Sequence, residues 1–472
     1  MKPLRIDCRG RLLVCVAVCL GSCVPLAPAA ESVTRVGAGV RTVTPDLERH
    51  APVFLAGFGN GRRATSVHDD LYARCLALEF QRKSQPLVMC GVDSIGLFWE
   101  DVERIRKAAG NKIGRKAVVI VAALHDHQSP DTMGLWGPKE GVSGINEEYN
   151  SFLVERTAEA AAEAVRALKP AVITLAKAHP EALDGFIHDT RPPVVHDAEV
   201  LVLSASSPEG KPIGTLVNWA NHPETLGSRN QALTSDYSGF LRTQLEKRLG
   251  GVAVFINGAV GGMQSPLGAR VTDPDTGGAA PENSFRKAEI IGQAVANVAA
   301  DAVKDATPVE IDRYEFREKL IPIPTTNEGF HAASRAGIYK GRKPMTPDFS
   351  TMTPVGMVRL LSRAKPELEI ALVPGELYPE LSVGGIERYP GADYPSAPEE
   401  PAIKKTMMTA PYRMLFGLAN DEIGYLIPKT EWDETAPWLQ GASRRWYGEV
   451  NSTGPEAAPK ITQTLQGLFS HP

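Results

Sequence analysis

The sequence predicts an α/β fold in one large domain, with mixed β-sheets flanked by helices. Two observations lead there. Apolar runs rich in β-branched residues end repeatedly in polar loops punctuated by glycine and proline, as after Val118-Val-Ile-Val-Ala-Ala-Leu124 and Pro212-Ile-Gly-Thr-Leu-Val-Asn-Trp219. Long segments of helical composition separate them, among them 146–168 and 284–305. The sequence holds no internal repeat, low-complexity tract or clear linker, so residues 34–472 read as a single catalytic-type domain.

The chain has 472 residues, 43% hydrophobic and 22% charged, the composition of a well-cored globular protein. A formal net charge of -4 without a Lys/Arg-rich block gives no footprint for nucleic acid or an anionic membrane surface. Residues 1–30 differ in kind: Lys2, Arg5, Arg9 and Arg11 precede the apolar run Leu12 to Leu20, and small residues follow, the pattern of a secretory signal peptide. Leu20-Gly21-Ser22-Cys23 reads as a lipoprotein signal that would anchor the protein through Cys23, and Ala27-Pro28-Ala29 as an ordinary cleavage site. The second is preferred because a Pro/Ala-rich segment and Glu31 follow directly. The expected location is therefore secreted or periplasmic, with lipid-anchored or peripheral membrane association as the alternative. Cys8, Cys15, Cys19 and Cys23 lie in this segment, leaving Cys75 and Cys90 as either a cross-strand disulfide or two buried thiols. No second apolar stretch reaches about 18 residues, so the mature chain is not expected to span a membrane.

In chain order, a strand over Val36 to Thr44 opens the domain, and the Gly-rich stretch Leu55 to Arg62 is a tight-turn loop, since no helix follows at phosphate-binding spacing. Strands follow at 71–80 and 86–92, then a helix at 99–109, the strand from Val118 and a helix at 146–168 that ends at Lys169-Pro170. Segment 171–205 is strand-rich and includes the bend Asp189-Thr-Arg191-Pro-Pro193. The strand from Pro212 ends in His222. A helix at 237–249, a strand at 252–256, the loop 257–266 and a helix at 284–305 complete this block. Strands resume over 309–323, and 324–354 reads as loop with short helix. Leu368 to Leu377 is a strand running into an acidic loop, and Met414 to Tyr425 is read as the last strand.

Strand ends thus deliver His125, His127, His222, the 257–266 loop, Glu376 and Tyr425. In α/β proteins the loops beyond the carboxyl ends of strands are where rigid sheets assemble sites. On extended backbone His125 and His127 project to the same side and converge. Two or three neutral imidazoles with a carboxylate suit Zn²⁺ with an open position, and such a metal acidifies water and polarises a carbonyl. Each residue has a plain structural rival. The histidines can be hydrogen-bonded loop residues, His222 can cap a strand, Glu376 can be solvated, and Tyr425 and Tyr447 can be packing residues with a polar handle.

His125-Asp-His127 with Ser129-Pro, Asn218-Trp-Ala-Asn-His-Pro223, Thr234-Ser-Asp-Tyr-Ser-Gly239, Gly262-Met-Gln-Ser-Pro266, Pro374-Gly-Glu376, Gly424-Tyr425 and Trp446-Tyr-Gly-Glu-Val-Asn-Ser-Thr-Gly-Pro455 occur in this order. Their succession resembles the catalytic domain of neutral ceramidases, from about Val36 to the carboxyl terminus. The resemblance implies His125, His222, Glu376 and Tyr425 as Zn²⁺ ligands, with His127 not a ligand but either a group supporting them or a catalytic one, which takes a proton from water or hydrogen-bonds the developing oxyanion. It implies Tyr447 as an oxyanion donor, Arg191 as an arginine near the site, and Ser265 as the serine of the family's Gly-Asp-x-Ser-Pro-Asn sequence.

The chain also departs from that pattern. Gly262-Met263 and Leu267 stand where the family has the aspartate and asparagine around its serine, the loop 128–137 is longer, and the immunoglobulin-like domain that follows in the family is not expected. Met133, Leu135 and Trp136 are candidates to line an acyl pocket or simple loop anchors. The reading is a Zn²⁺-dependent hydrolase of an N-acyl amide, ceramide or a related lipid, with no protein partner. Its alternatives are a metal-independent serine hydrolase using Ser265, against which the lack of a G-x-S-x-G elbow argues, and a non-catalytic envelope lipoprotein.

Overall fold

Side chains alternate along the strand Tyr72–Glu79. Ala73, Cys75 and Ala77 face one side and Leu76 and Leu78 the other. The small side lies under the helices Trp99–Ile113 and Glu147–Arg166, and the large side enters the central core. At Gly39 a Cβ would stand 2.2 Å from the carbonyl oxygen of Ala160, so glycine lets the second helix sit directly on the sheet.

The computed structural model describes residues 34–80 and 84–470. The segment read as a signal peptide, with Cys23, lies outside the described residues. Three sheets make up the architecture. The first runs in the order Val118–Ala123, Leu87–Val92, Tyr72–Glu79, Arg35–Thr42, Lys169–Pro170. The second runs Val252–Asn257, Pro212–Trp219, Val200–Ser206, Val172–Ala178, Pro308–Val309, with the helices Asp236–Leu249 and Phe285–Asp305 outside it. The third runs Arg313–Pro324, Ser350–Ser362, Lys365–Leu372, Tyr412–Phe416, and the helix Ala457–Ser470 packs on it. Each sheet mixes parallel and antiparallel pairs or carries a parallel pair at its edge.

The inner faces of all three sheets meet in one core, where Leu76 and Ile120, Leu203 and Ile256, and Leu360 and Phe416 pack together. Buried asparagines stitch the sheets near their strand ends. Asn218 Nδ2 donates to Leu415 O (2.9 Å) and Asn257 Nδ2 to Leu124 O (2.9 Å), while Asn420 Oδ1 accepts from Val121 N (3.0 Å). The carboxyl ends of strands from three sheets are thereby held in register with one another.

Several sequence expectations need correction. Segment 324–354 was expected to be loop with short helix, yet Ser350–Ser362 is a strand with neighbours on both sides. Its Pro354 is tolerated because the Lys365–Leu372 strand pairs only from Gly356 onward, leaving that flank of Pro354 open. Leu368 to Leu377 and Met414 to Tyr425 are each broken in two, giving short parallel strands Glu376–Leu377 and Tyr425–Leu426. Positive φ angles at Leu418 (47°) and Asn420 (66°) turn the second of these segments. Cys75 and Cys90 face each other across an antiparallel pair and form a disulfide, the first of the two alternatives. Among the described residues, no helix is long and apolar enough to cross a membrane.

Candidate metal centre and cleft

The strand Val118–Ala123 stops two residues before His125, which takes a positive φ of 63°. The extended-backbone argument for the two histidines therefore fails in detail, because a left-handed kink aims His125. Such a kink in a non-glycine residue costs about 1–2 kcal/mol and needs support. Leu124 N donates to Val92 O (2.9 Å), Asp126 N to Ser94 O (3.1 Å) and His127 N to Pro223 O (3.0 Å), which fix the turn against two neighbouring segments.

His125 Nδ1 lies 2.7 Å from Ile95 O, and His222 Nδ1 lies 2.6 Å from Gln264 O. A carbonyl oxygen only accepts, so each Nδ1 carries the hydrogen and, in the neutral ring, each Nε2 keeps its lone pair. Both lone pairs face the same oxygen, Glu376 Oε2, at 3.3 Å from His125 and 3.0 Å from His222. Glu376 is placed by the parallel pair in which it stands opposite Tyr425. That pair is close enough that a Cβ on Gly375 would meet Gly424 O at 2.5 Å. The Tyr425 hydroxyl lies 3.3 Å from Met263 Sδ.

Burial and the neighbouring rings set the protonation of the cluster. Burial pulls His125 down to about 4 and His127 well below the usual histidine value. Burial also acts to lower His222, but its hydrogen bond to Glu376 and the charge of Glu224 outweigh that and raise it. Glu376 is buried too, and the two histidines nevertheless hold it below the ordinary carboxylate range. Ligand nitrogens of His125, His127 and His222 all lie within 4.8 Å of one another. Converging lone pairs and a carboxylate repel unless a cation or a proton sits among them, so the donor set fits a Zn²⁺ ion.

The cluster forms one end of a cleft of about 250 Å³. Phe98, Met133, Trp136, Phe330 and Tyr339 form an apolar wall, and Leu135 also lines it. Tyr447, half exposed, stands at the mouth with its ring 5.9 Å from that of Tyr425. Arg342, in the same lining, is held by two bonds to buried Asp421 (2.6 and 3.1 Å) and lies over the Phe98 ring at 4.7 Å.

Two solved structures share this architecture. The neutral ceramidase from Pseudomonas aeruginosa superimposes with a TM-score of 0.69 at 17% identity, over 93% of this chain and 74% of that one. A ceramidase complexed with C2 gives 0.69 at 16% identity, over 93% of this chain and 75% of the other. The chain has the neutral ceramidase fold. No family's sequence profile matches it, and no curated protein matches it in sequence.

Within that fold, six of the eight residues singled out in the sequence gather at the cleft: His125, His127, Glu376, Tyr425 and Tyr447 line it, and His222 lies directly behind. Arg191 and Ser265 do not line it. Arg191 is buried and committed elsewhere, donating to Glu449 Oε2 (2.7 Å) and Glu431 O (2.8 Å) and lying 4.8 Å over the Trp446 ring. It braces the segment that carries Tyr447. Ser265 pairs through its backbone with His188, and its Oγ accepts from Leu267 N (3.0 Å).

Sequence reasoning missed two contributors. Gly57, at φ 88°, lies so close to His127 that a Cβ would meet its Cγ at 2.3 Å. Glu224, buried, sets its Oε2 3.2 Å from His127 Nδ1. The signal for Glu224 was present in His222-Pro-Glu224, a carboxylate two residues past a strand-end histidine.

Proposed function

We propose that this chain is a Zn²⁺-dependent hydrolase that cleaves the amide of an N-acyl lipid, ceramide or a close relative. The observation that carries the reading is the pair of Nε2 lone pairs converging on Glu376 Oε2 at the end of an apolar cleft. His125, His222 and Glu376 would hold the ion, with the Tyr425 hydroxyl beside them. When bound, Zn²⁺ supplies Lewis-acid polarisation of a carbonyl and a lowered pKa for water.

The apolar wall takes the acyl chain and excludes bulk water, which sets the amide carbonyl against the histidines. His127 Nε2 takes the proton of the attacking water and returns it to the amide nitrogen as the C–N bond breaks, leaving a carboxylic acid and an amine. The Tyr447 hydroxyl donates a hydrogen bond to the oxyanion that develops on the carbonyl. Arg191 acts through the segment it braces. The basic, apolar amino terminus supports export, so the reading places the enzyme outside the cytoplasm, soluble or anchored at Cys23.

Elemental analysis of the purified protein beside His222→Ala, with turnover of a fluorogenic N-acyl amide measured on both, tests the reading. The expected result is about one zinc per chain in the wild type, lost together with activity in the variant. A metal-free wild type with undiminished turnover would sink it and turn attention to Ser265.

A further inference from the structure

Of the three clustered histidines, His127 alone has a ring without a hydrogen bond at either nitrogen. Leaving a buried polar group so costs about 1–3 kcal/mol, so the groups within reach of that ring matter. The Glu224 carboxylate is there, with Oε2 3.2 Å from Nδ1 but off the line of a hydrogen bond. Hydrogen bonds of catalytic groups are commonly misaligned before substrate binds and tighten afterwards.

The backbone keeps the two side chains together. His127 N donates to Pro223 O (3.0 Å), so the residue before Glu224 is tied to the histidine itself. Glu224 then sits in a tight turn, with its N near His222 O (3.0 Å) and its O accepting from Gly227 N (2.9 Å). On the other side Gly57 presses on the imidazole and the Phe58 ring meets it edge-on at 5.0 Å. The ring has little room to move except in its own orientation.

We infer that Glu224 is the positioning residue of His127, accepting Nδ1–H so that Nε2 offers its lone pair to the cleft. The assignment rests on the hydrolase reading for its consequence and on the contacts above for its geometry. It treats His127 differently from His125 and His222: a carboxylate, rather than a backbone carbonyl, selects its tautomer, which raises the basicity of the free nitrogen.

The test uses full-length protein reconstituted with zinc, as wild type, Glu224→Leu, Glu224→Asp and Glu224→Gln. Nitrogen-15 spectra of labelled histidine side chains, assigned with His127→Gln, report the tautomer whether or not the protein is active. The wild type is expected to carry Nδ1–H at His127, and Glu224→Leu a mixture of tautomers. Zinc content stays unchanged, and kcat falls about 10²-fold with little change in KM, as for the loss of a carboxylate behind a site histidine. Glu224→Asp should recover part of kcat. Glu224→Gln keeps the side-chain volume and provides the same comparison if the leucine variant does not fold.

Nε2–H at His127 in the wild type would overturn the inference, as would unchanged kcat in Glu224→Leu. So would two zinc ions per chain falling to one in that variant, since Glu224 and His127 would then be ligands. A wild type that binds no zinc and hydrolyses nothing overturns the proposed function instead, and the tautomer measurement still decides Glu224.

Discussion

Asp236 shows how much of the site's surroundings is set by single buried charges. It opens the helix Asp236–Leu249 at a φ of 51°, and its carboxylate accepts from its neighbour Tyr237 N (2.6 Å) and from Leu226 N (3.3 Å), close behind the turn that carries Glu224. Burial, opposed by these hydrogen bonds, raises its pKa to about 7. The folded protein therefore holds this proton more tightly than the unfolded chain, whose aspartate has the ordinary value of 3.8. Its contribution to stability is full below that value and is lost as pH rises through about 7. Asp236→Asn, which keeps an acceptor and tolerates positive φ, should flatten the decline in stability between pH about 4 and about 7. Urea midpoints measured across that range check it; parallel curves for variant and wild type would refute the assignment. At this scale the sequence showed residue types and chain positions well but not orientation. His125, His222 and Glu376 stood out because each ends an apolar strand. Gly57 did not, since a contact between residues far apart in the chain leaves no local pattern, and Glu224 was marked only by its place two residues past His222. The bracing role of Arg191 was hidden for the same reason, because its partner Glu449 is 258 positions away.

Among the elements, the two-residue strands Glu376–Leu377 and Tyr425–Leu426 have the largest effect for their size. They continue the parallel pair of Lys365–Leu372 and Tyr412–Phe416 beyond the edge of the third sheet and set Glu376 opposite Tyr425. A Cβ at Gly375 would press on Gly424 O, and one at Gly424 on Asn451 O at 2.1 Å, so three chain segments meet there with no space to spare. Gly375→Ala is expected to push this pair apart and shift Glu376 from the two histidines. A displacement of about 1 Å at such a site costs about 10²-fold in rate. Weaker zinc retention in dialysis, with an unchanged circular dichroism spectrum, would be the signature; wild-type retention would show that the pair has slack. Long periodic elements were legible in the sequence, the helix Glu147–Arg166 and the strand Val118–Ala123 among them. Pro354 hid the strand Ser350–Ser362, because a breaker inside a strand is tolerated where the neighbouring strand does not reach, and the sequence does not show where that is.

For the whole molecule, the donors of the candidate metal centre come from three sheets: His125 follows the first, His222 the second and Glu376 the third. The asparagine bridges already hold these sheets together from within, and an ion bound across their ends would add a cross-link that the unfolded chain cannot make. Binding to the folded state alone stabilises it by about 2.7 kcal/mol at a free metal concentration one hundred times Kd. In a chain of this size that raises Tm by only a few degrees, because the unfolding entropy grows with length. Chelation should therefore lower the Tm of the wild type by a few degrees and leave that of His222→Ala almost unchanged, with zinc but not magnesium restoring the difference, since imidazole nitrogens favour the softer ion. Scanning calorimetry on the two proteins, with and without chelator, separates this from general destabilisation. An equal fall in both would mean that the metal binds away from the three histidines.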